Sequence, residues 1–346
     1  MNGCIMVLAV FSLLTIASAK PQDLLPQSMT LVLGSIVMCI FSFIDWRPLV
    51  VKRSIIFIIY AVAIALLTAT YLFAPVIRHT RSWLVFGPVQ FQASEFMKIA
   101  LIILYSYYFA HRHAGIAEKK NILIPLLYAF IPIGFILLQP DMGTALIIGG
   151  LWVVYLLVSG IRWRHIVLGI SIAAIVGVFG WSHLADYQRE RVRGLFNPAY
   201  DPLGVNYNVI QSKIAIGSGG WLGKGWRQGT QVQLGFLPEP ANDFVFSAIV
   251  EEWGLMGGAV VLGAFLLLII RVLAVGARAE NNFSKLMCLG VSGVLLLHMV
   301  LNVGSAVGLM PVVGVPFPFV SYGGSNLLTS FMALGILQSI AIRSLF

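Results

Sequence analysis

The sequence predicts an all-α polytopic membrane protein with ten transmembrane helices, and three observations carry that expectation. Of 346 residues, 59% are hydrophobic and only 10% are charged, where soluble globular chains hold roughly 45–50% apolar and about 25% charged residues. The apolar residues are gathered into runs of about 17 or more, the length that crosses the hydrocarbon core of a bilayer. The runs are continuous, whereas an outer-membrane barrel alternates in segments of about ten residues. The chain therefore reads as a single transmembrane domain, 1–346, with no soluble domain.

The predicted spans are 4–19, 28–44, 54–74, 93–110, 122–138, 143–160, 164–182, 245–273, 284–309 and 320–343. The first ends in Ala17-Ser18-Ala19, which resembles a signal-peptide cleavage site. Met1-Asn2-Gly3 before it carry no positive charge, which a signal peptide needs, so a retained helix is expected. An even number of spans puts both termini on one side, and the basic residues say which. With the termini cytoplasmic, twelve of the 22 Lys and Arg lie inside, against Lys20, Arg78 and Arg81 in the short outer loops. That asymmetry satisfies the positive-inside rule. The net charge of +9, which in a soluble chain would suggest nucleic acid, thus follows from topology, and no nucleic-acid partner is expected. The three cysteines sit apart within apolar runs and read as packing residues.

This orientation places three unusual segments outside: 75–95, the large extracytoplasmic loop 183–244 between the seventh and eighth helices, and 308–323. Glu95 and Lys98 are three apart and can share a helix face, either as a structural pair or as part of a substrate site. Segment 75–98, with Arg78, Arg81 and Trp83, reads as an interfacial loop or as an anion site for a phosphate-bearing lipid. Ser94 is a possible helix cap, and Asp141, after Gln139-Pro140, is expected to cap the helix that follows. The glycine-rich stretch 217–226 is not a P-loop, because Ser218 and Gly225 stand where a Gly and a Ser or Thr are required. It is a linker or an anion-binding turn. Asn242 or Asp243 would cap the eighth span, and at least one of Glu251 and Glu252 should face the bundle interior. The run 311–325 is apolar yet too rich in proline and glycine for helix, and such backbone at membrane depth is tolerated where it is buried or lines a cavity. The histidines are isolated and read as structural.

Four stretches together resemble the shape, elongation, division and sporulation family, whose best-known branches are RodA and FtsW. They are Arg81-Ser-Trp with Gln92-Ala-Ser-Glu-Phe-Met-Lys98; Gln139-Pro-Asp-Met-Gly-Thr-Ala145; Gly217 to Asp243; and Asn302-Val-Gly with Ser321-Tyr-Gly-Gly-Ser325. The resemblance runs from about residue 81 to the C-terminus, and 223–231 is more similar to the RodA branch.

The resemblance implies a peptidoglycan glycosyltransferase of the bacterial cytoplasmic membrane, with its site facing outward. Such an enzyme polymerises lipid II for cell elongation and rod shape, with inversion and with undecaprenyl pyrophosphate as leaving group. A class B penicillin-binding protein, a transpeptidase, is the implied partner. The family's essential acid falls on Asp243, although Ala241 and Asn242 replace the His and Thr that precede it in the family motif. Asp243 is then the candidate catalytic base. Arg81, Lys98, Lys224 and Arg227 are candidates for the pyrophosphate, and Glu95 for positioning Lys98 or the substrate. A helix N-terminus would weaken Asp243 as a base, whereas burial acts the other way. The metal requirement stays open, with a divalent cation (magnesium or manganese) as the one candidate cofactor. A lipid II flippase and a non-catalytic scaffold for the penicillin-binding protein are the rival readings.

Overall fold

The computed structural model describes residues 1–46, 52–77, 80–87, 89–111, 120–160, 189–190, 193–194, 201, 204 and 206–343. The predicted span 164–182 lies outside these residues, as do Arg47, Arg78, Arg112, Lys119, Arg162 and Arg164. Each of the other predicted spans falls on a helix. In chain order they are α1 (Asn2–Ala19), α2 (Leu24–Phe43), α3 (Arg53–Phe73), α4 (Ala93–Ala110), α5 (Lys120–Leu138), α6 (Met142–Val158), then two short helices, α7 (Tyr207–Gly219) and α8 (Thr230–Gln233), followed by α9 (Val245–Arg278), α10 (Asn282–Ala306) and α11 (Gly324–Arg343). Strands β1 (Leu84–Phe86) and β2 (Val89–Phe91) form a hairpin before α4. Among the described residues, six helices are long and apolar enough to cross a membrane, namely α1, α2 with the turn before it, α3, α9, α10 and α11. Two shorter apolar helices, 122–138 and Met142–Val158, accompany them, and α4 has eighteen residues that include Glu95 and Lys98.

Local chemistry accounts for the helix ends and for one internal defect. Asp141 caps α6 as expected, accepting from Thr144 N at 3.0 Å, and Asn281 caps α10 by accepting from Ser284 N at 2.7 Å. Two predicted caps are not realised. The N-cap of α4 is Gln92 rather than Ser94, and that of α9 is Phe244 rather than Asn242 or Asp243, with no side-chain capping bond at either. Pro132 inside α5 has no N–H to offer the carbonyl of Tyr128. The Tyr60 hydroxyl of α3 donates to that carbonyl at 2.9 Å, supplying the bond the proline removes.

Helices approach closely where a residue is small. A Cβ on Gly34 of α2 would stand 2.2 Å from the Phe331 ring of α11, and one on Gly335 would stand 2.6 Å from the carbonyl oxygen of Met38. The last predicted span begins at Gly324 rather than residue 320, because 311–323 holds no helix, as its prolines and glycines require.

Helix α9 is interrupted. Gly254 has φ +69° and ψ −176°, so the helix breaks into two arms, 245–253 and 255–278. The 34 residues would measure about 51 Å as one straight helix, well beyond a hydrocarbon core of about 30 Å. The second arm alone is long enough to cross. The groups freed by the break are taken up by the turn after α7. Lys224 N and Gly225 N donate to the carbonyls of Glu251 and Glu252 at 2.9 and 3.0 Å, and Leu255 N and Met256 N donate to Gly220 O and Trp221 O at 2.9 and 3.2 Å. A Cβ on Gly254 would sit 2.3 Å from Trp221 O, so only glycine fits there. The described part of the long loop is therefore a hairpin of α7, turn and α8 laid along the first arm of α9. The glycine-rich stretch that read as a linker or an anion turn is the backbone that mends this helix.

Candidate active site at one end of the bundle

The segments between helices converge at one end. Tyr322 N donates to Ala241 O at 2.8 Å, and Ser321 Oγ donates to Asn242 O at 2.7 Å. Gln27 Nε2 of α2 reaches Ser321 O at 3.3 Å, and Lys20 pairs with Glu239 at 3.2 Å. Ser325 Oγ accepts from Gln92 N at 3.1 Å and donates to Gln90 O at 3.0 Å, while Gln92 Nε2 donates to Asp141 at 3.1 Å. These bonds unite 20–27, 90–92, 141, 239–243 and 321–325, which include residues from all four stretches that carry the family resemblance.

Asp243 stands in the turn that enters α9 and is half-buried. Its backbone carbonyl accepts from Asn302 Nδ2 of α10 at 3.2 Å, and the same amide donates to Val315 O at 2.9 Å. Its carboxylate faces Gly314, which has φ +69°. A Cβ added there would be 4.0 Å from Asp243 Oδ2, at ordinary contact distance. Because Phe244 holds the N-cap position, Asp243 lies one residue outside the helix, which loosens the conflict between capping and basicity. Beside it, Asn242 Oδ1 and Asn302 Oδ1 are buried with no hydrogen-bond partner among the described residues. Acceptor oxygens in this condition suit a hydroxyl donor or a hard cation. Among the described residues no three His, Cys, Asp or Glu side chains converge on one point.

Deeper in the bundle, Glu95 and Lys98 form the pair their spacing predicted. Lys98 Nζ lies 2.8 Å from Glu95 Oε1, with both side chains 4% exposed. The other carboxylate oxygen accepts from Asn326 Nδ2 and Thr329 Oγ1 of α11, each at 3.1 Å. Lys98 Nζ also lies 2.8 Å from His298 Nε2, and His298 Nδ1 lies 2.9 Å from Pro316 O. A cavity of about 30 Å³, room for a water or two, is lined by Glu95, Lys98, His298, Pro318, Asn326 and Thr329.

The other candidates go elsewhere. Lys224 Nζ binds Glu251 Oε1 at 2.9 Å and Thr230 Oγ1 at 2.7 Å. Arg227 stacks over Trp226 at 4.8 Å and donates to Ala17 O of α1 at 2.8 Å. Arg81 is exposed, with its backbone N–H on Gln139 O at 3.4 Å. Glu251 and Glu252 are both buried, as at least one was expected to be. Glu251 accepts from Gln231 N and Val232 N at 2.8 and 3.1 Å, holding the N-terminus of α8, and Glu252 binds Ser18 of α1 and Gln233 of α8. Their visible task is to fasten the hairpin to α9 and α1.

His298 was missed as a member of this network, and Asn302 entered only as part of a motif. A signal for both exists. They are polar residues four apart inside an otherwise apolar span, which places them on one face of a helix where burial demands partners.

Fold and site thus define a multi-pass helical membrane protein. A half-buried carboxylate stands at one end of its bundle, with a buried ion pair deeper within it. The comparisons with known proteins give this class a family. A model described as cell cycle protein, FtsW/RodA/SpoVE, matches residues 1–344, and the chain belongs to that family. The peptidoglycan glycosyltransferase MrdB of Escherichia coli (strain K12) is 40% identical, over 97% of this chain and 91% of that protein. The peptidoglycan glycosyltransferase RodA of Treponema pallidum (strain Nichols) is 31% identical, over 94% and 90%. Among solved structures, a chain from work on coordination of polymerization and crosslinking by a peptidoglycan synthase complex superposes with a TM-score of 0.85 at 32% identity, covering 99% of this chain and 98% of that one. The rod shape determining protein RodA of Thermus thermophilus gives 0.72 at 26%, covering 99% and 95%.

Proposed function

We propose that this chain is a peptidoglycan glycosyltransferase that polymerises glycan strands from lipid II, with Asp243 as general base. The observation that carries the reading is the setting of Asp243. It is half-buried in the turn that enters α9, with its carboxylate against Gly314 of the non-helical segment and its carbonyl held by Asn302. An acceptor sugar hydroxyl gives its proton to this carboxylate as it attacks the donor's anomeric carbon, the configuration inverts, and undecaprenyl pyrophosphate departs. The family membership and the glycosyltransferase names of its relatives support this chemistry over flipping or scaffolding. The supporting role for elongation rests on the RodA and MrdB relatives.

Ten spans with both termini cytoplasmic would set the convergent loops on the outer face of the cytoplasmic membrane, where lipid-linked precursor is presented. Lys98 is buried beneath the loops and already bound to Glu95 and His298, so it would act on a pyrophosphate through its charge and not by direct contact. Arg81 is exposed and free to meet a lipid phosphate, whereas Lys224 and Arg227 would have to leave Glu251 and α1 to do so. A divalent cation fits the donors present, since magnesium is commonly held by one or two carboxylates together with substrate phosphates. Asp243, Asn242 and Asn302 would supply the protein oxygens, and the ion would supply charge for the leaving group. A class B penicillin-binding protein is the proposed partner. The test is polymerisation of purified lipid II by the reconstituted chain with that partner. Glycan strands are expected, and lipid II translocation across vesicles without polymer would favour the flippase instead.

A further inference from the structure

The chain Glu95–Lys98–His298–Pro316 crosses the bundle from α4 through α10 to the non-helical segment beside Asp243. Elementary donor and acceptor chemistry fixes its direction. A carbonyl oxygen only accepts, so the 2.9 Å contact with Pro316 O requires the proton on His298 Nδ1. An ammonium only donates, so the 2.8 Å contact with Lys98 requires Nε2 to be the bare nitrogen. One proton arrangement satisfies both ends. The lysine donates to the imidazole, and the imidazole donates to the backbone.

One turn further along α10, Asn302 donates to Val315 O and Asp243 O. Two side chains of one helix face therefore hold the successive carbonyls of Val315 and Pro316, next to Gly314, which the Asp243 carboxylate faces. This segment has no helix or strand of its own to set its shape. Buried carbonyls without donors are costly, so His298 and Asn302 hold the 315–316 backbone, while Ser321 Oγ holds the next amide, that of Phe317, at 2.9 Å.

We infer that His298 is a positioning residue, which as the Nδ1–H tautomer couples the buried Glu95–Lys98 pair to the 314–316 backbone facing Asp243. The inference rests on the proposed glycosyltransferase reading for its kinetic consequence but not for its tautomer. Removing the imidazole frees Pro316 O and lets the backbone beside Asp243 relax. Displacements of about 1 Å near a reacting group can cost about a hundredfold in rate. A glutamine at 298 offers one amide donor and one acceptor over a comparable span, and would restore the bridge where alanine cannot.

The experiment uses the full chain in lipid nanodiscs with its transpeptidase partner. ¹⁵N labelling of histidine imidazoles, with His298 assigned by its loss in His298→Gln, reads the tautomer at pH 7. The Nδ1–H form is expected, and an Nε2–H or doubly protonated ring would overturn the coupling. Lipid II polymerisation is measured in parallel. His298→Ala should lower kcat by about tenfold to a hundredfold with KM nearly unchanged, and His298→Gln should recover most of it. Equal activity of His298→Ala and wild type, or a loss that His298→Gln shares in full, would overturn the positioning role. If wild type makes no polymer while the Nδ1–H form is found, the glycosyltransferase reading and with it the kinetic role fail, and the proton arrangement stands.

Discussion

Asn302 of α10 donates one amide to two backbone carbonyls, those of Asp243 at 3.2 Å and Val315 at 2.9 Å, and so joins the candidate base to the segment it faces. Replacing it with alanine strands the buried Val315 carbonyl, at about 1–3 kcal/mol, and removes the clamp on the half-buried Asp243 carbonyl. Asn302→Ala should lower the thermal midpoint of the purified protein and reduce lipid II turnover. Asn302→Asp, which keeps the shape but loses the donors, should do the same. Unchanged turnover in both variants would separate this clamp from the site.

The Glu95–Lys98 pair makes a prediction of opposite sign for stability and activity. Breaking a buried pair by removing one partner costs about 3–5 kcal/mol, whereas replacing both with apolar residues is often neutral. Glu95→Gln and Lys98→Met should each destabilise strongly, and the double variant should regain much of the stability. The double variant should remain inactive, because the charge and the hydrogen bond to His298 are gone. Thermal denaturation and polymerisation assays on the four proteins complete the cycle.

Gly254 and Gly263 of α9 form a matched pair of tests. At Gly254 the backbone is left-handed and an added Cβ would meet Trp221 O at 2.3 Å, while at Gly263 nothing lies within 4 Å. Gly254→Ala should destabilise by more than the about 1–3 kcal/mol of strain at a backbone conformation essentially restricted to glycine, and it should loosen the 220–225 turn. Gly263→Ala should be neutral or slightly stabilising. Melting curves of the two variants read the difference directly.

Glu251 accepts two amides of α8 and pairs with Lys224, so its carboxylate should govern the order of the hairpin. In Glu251→Gln the amides of Gln231 and Val232 should exchange with deuterium faster than in wild type, with those of α10 unaffected. Equal protection in both proteins would show that other contacts hold α8.

Much of this arrangement could be read from the residues alone, and the exceptions have definite causes. The spans among the described residues were legible because apolar length is decided locally, and Glu95 with Lys98 because their spacing puts them on one helix face. The irregular run 311–323 was legible from its prolines and glycines. The break in α9 was not, because Gly254 sits in an apolar run with other glycines that stay helical. Its left-handed backbone is imposed by a turn thirty residues away. The partners of Glu251 and Glu252 were hidden for the same reason, since α8 and Ser18 of α1 reach them only through the tertiary fold. Asp243 was marked by resemblance, and its N-cap role failed because Phe244 took that place.

The central claim is that Asp243 acts as a base on the acceptor hydroxyl, and one comparison tests it most directly. Wild type and Asp243→Asn are reconstituted with the transpeptidase partner, matched for folding and complex formation, and assayed for glycan polymer from lipid II with and without a divalent cation. The account predicts polymer from wild type and a loss of about a hundredfold or more in Asp243→Asn. Normal polymer from Asp243→Asn under either condition would contradict it.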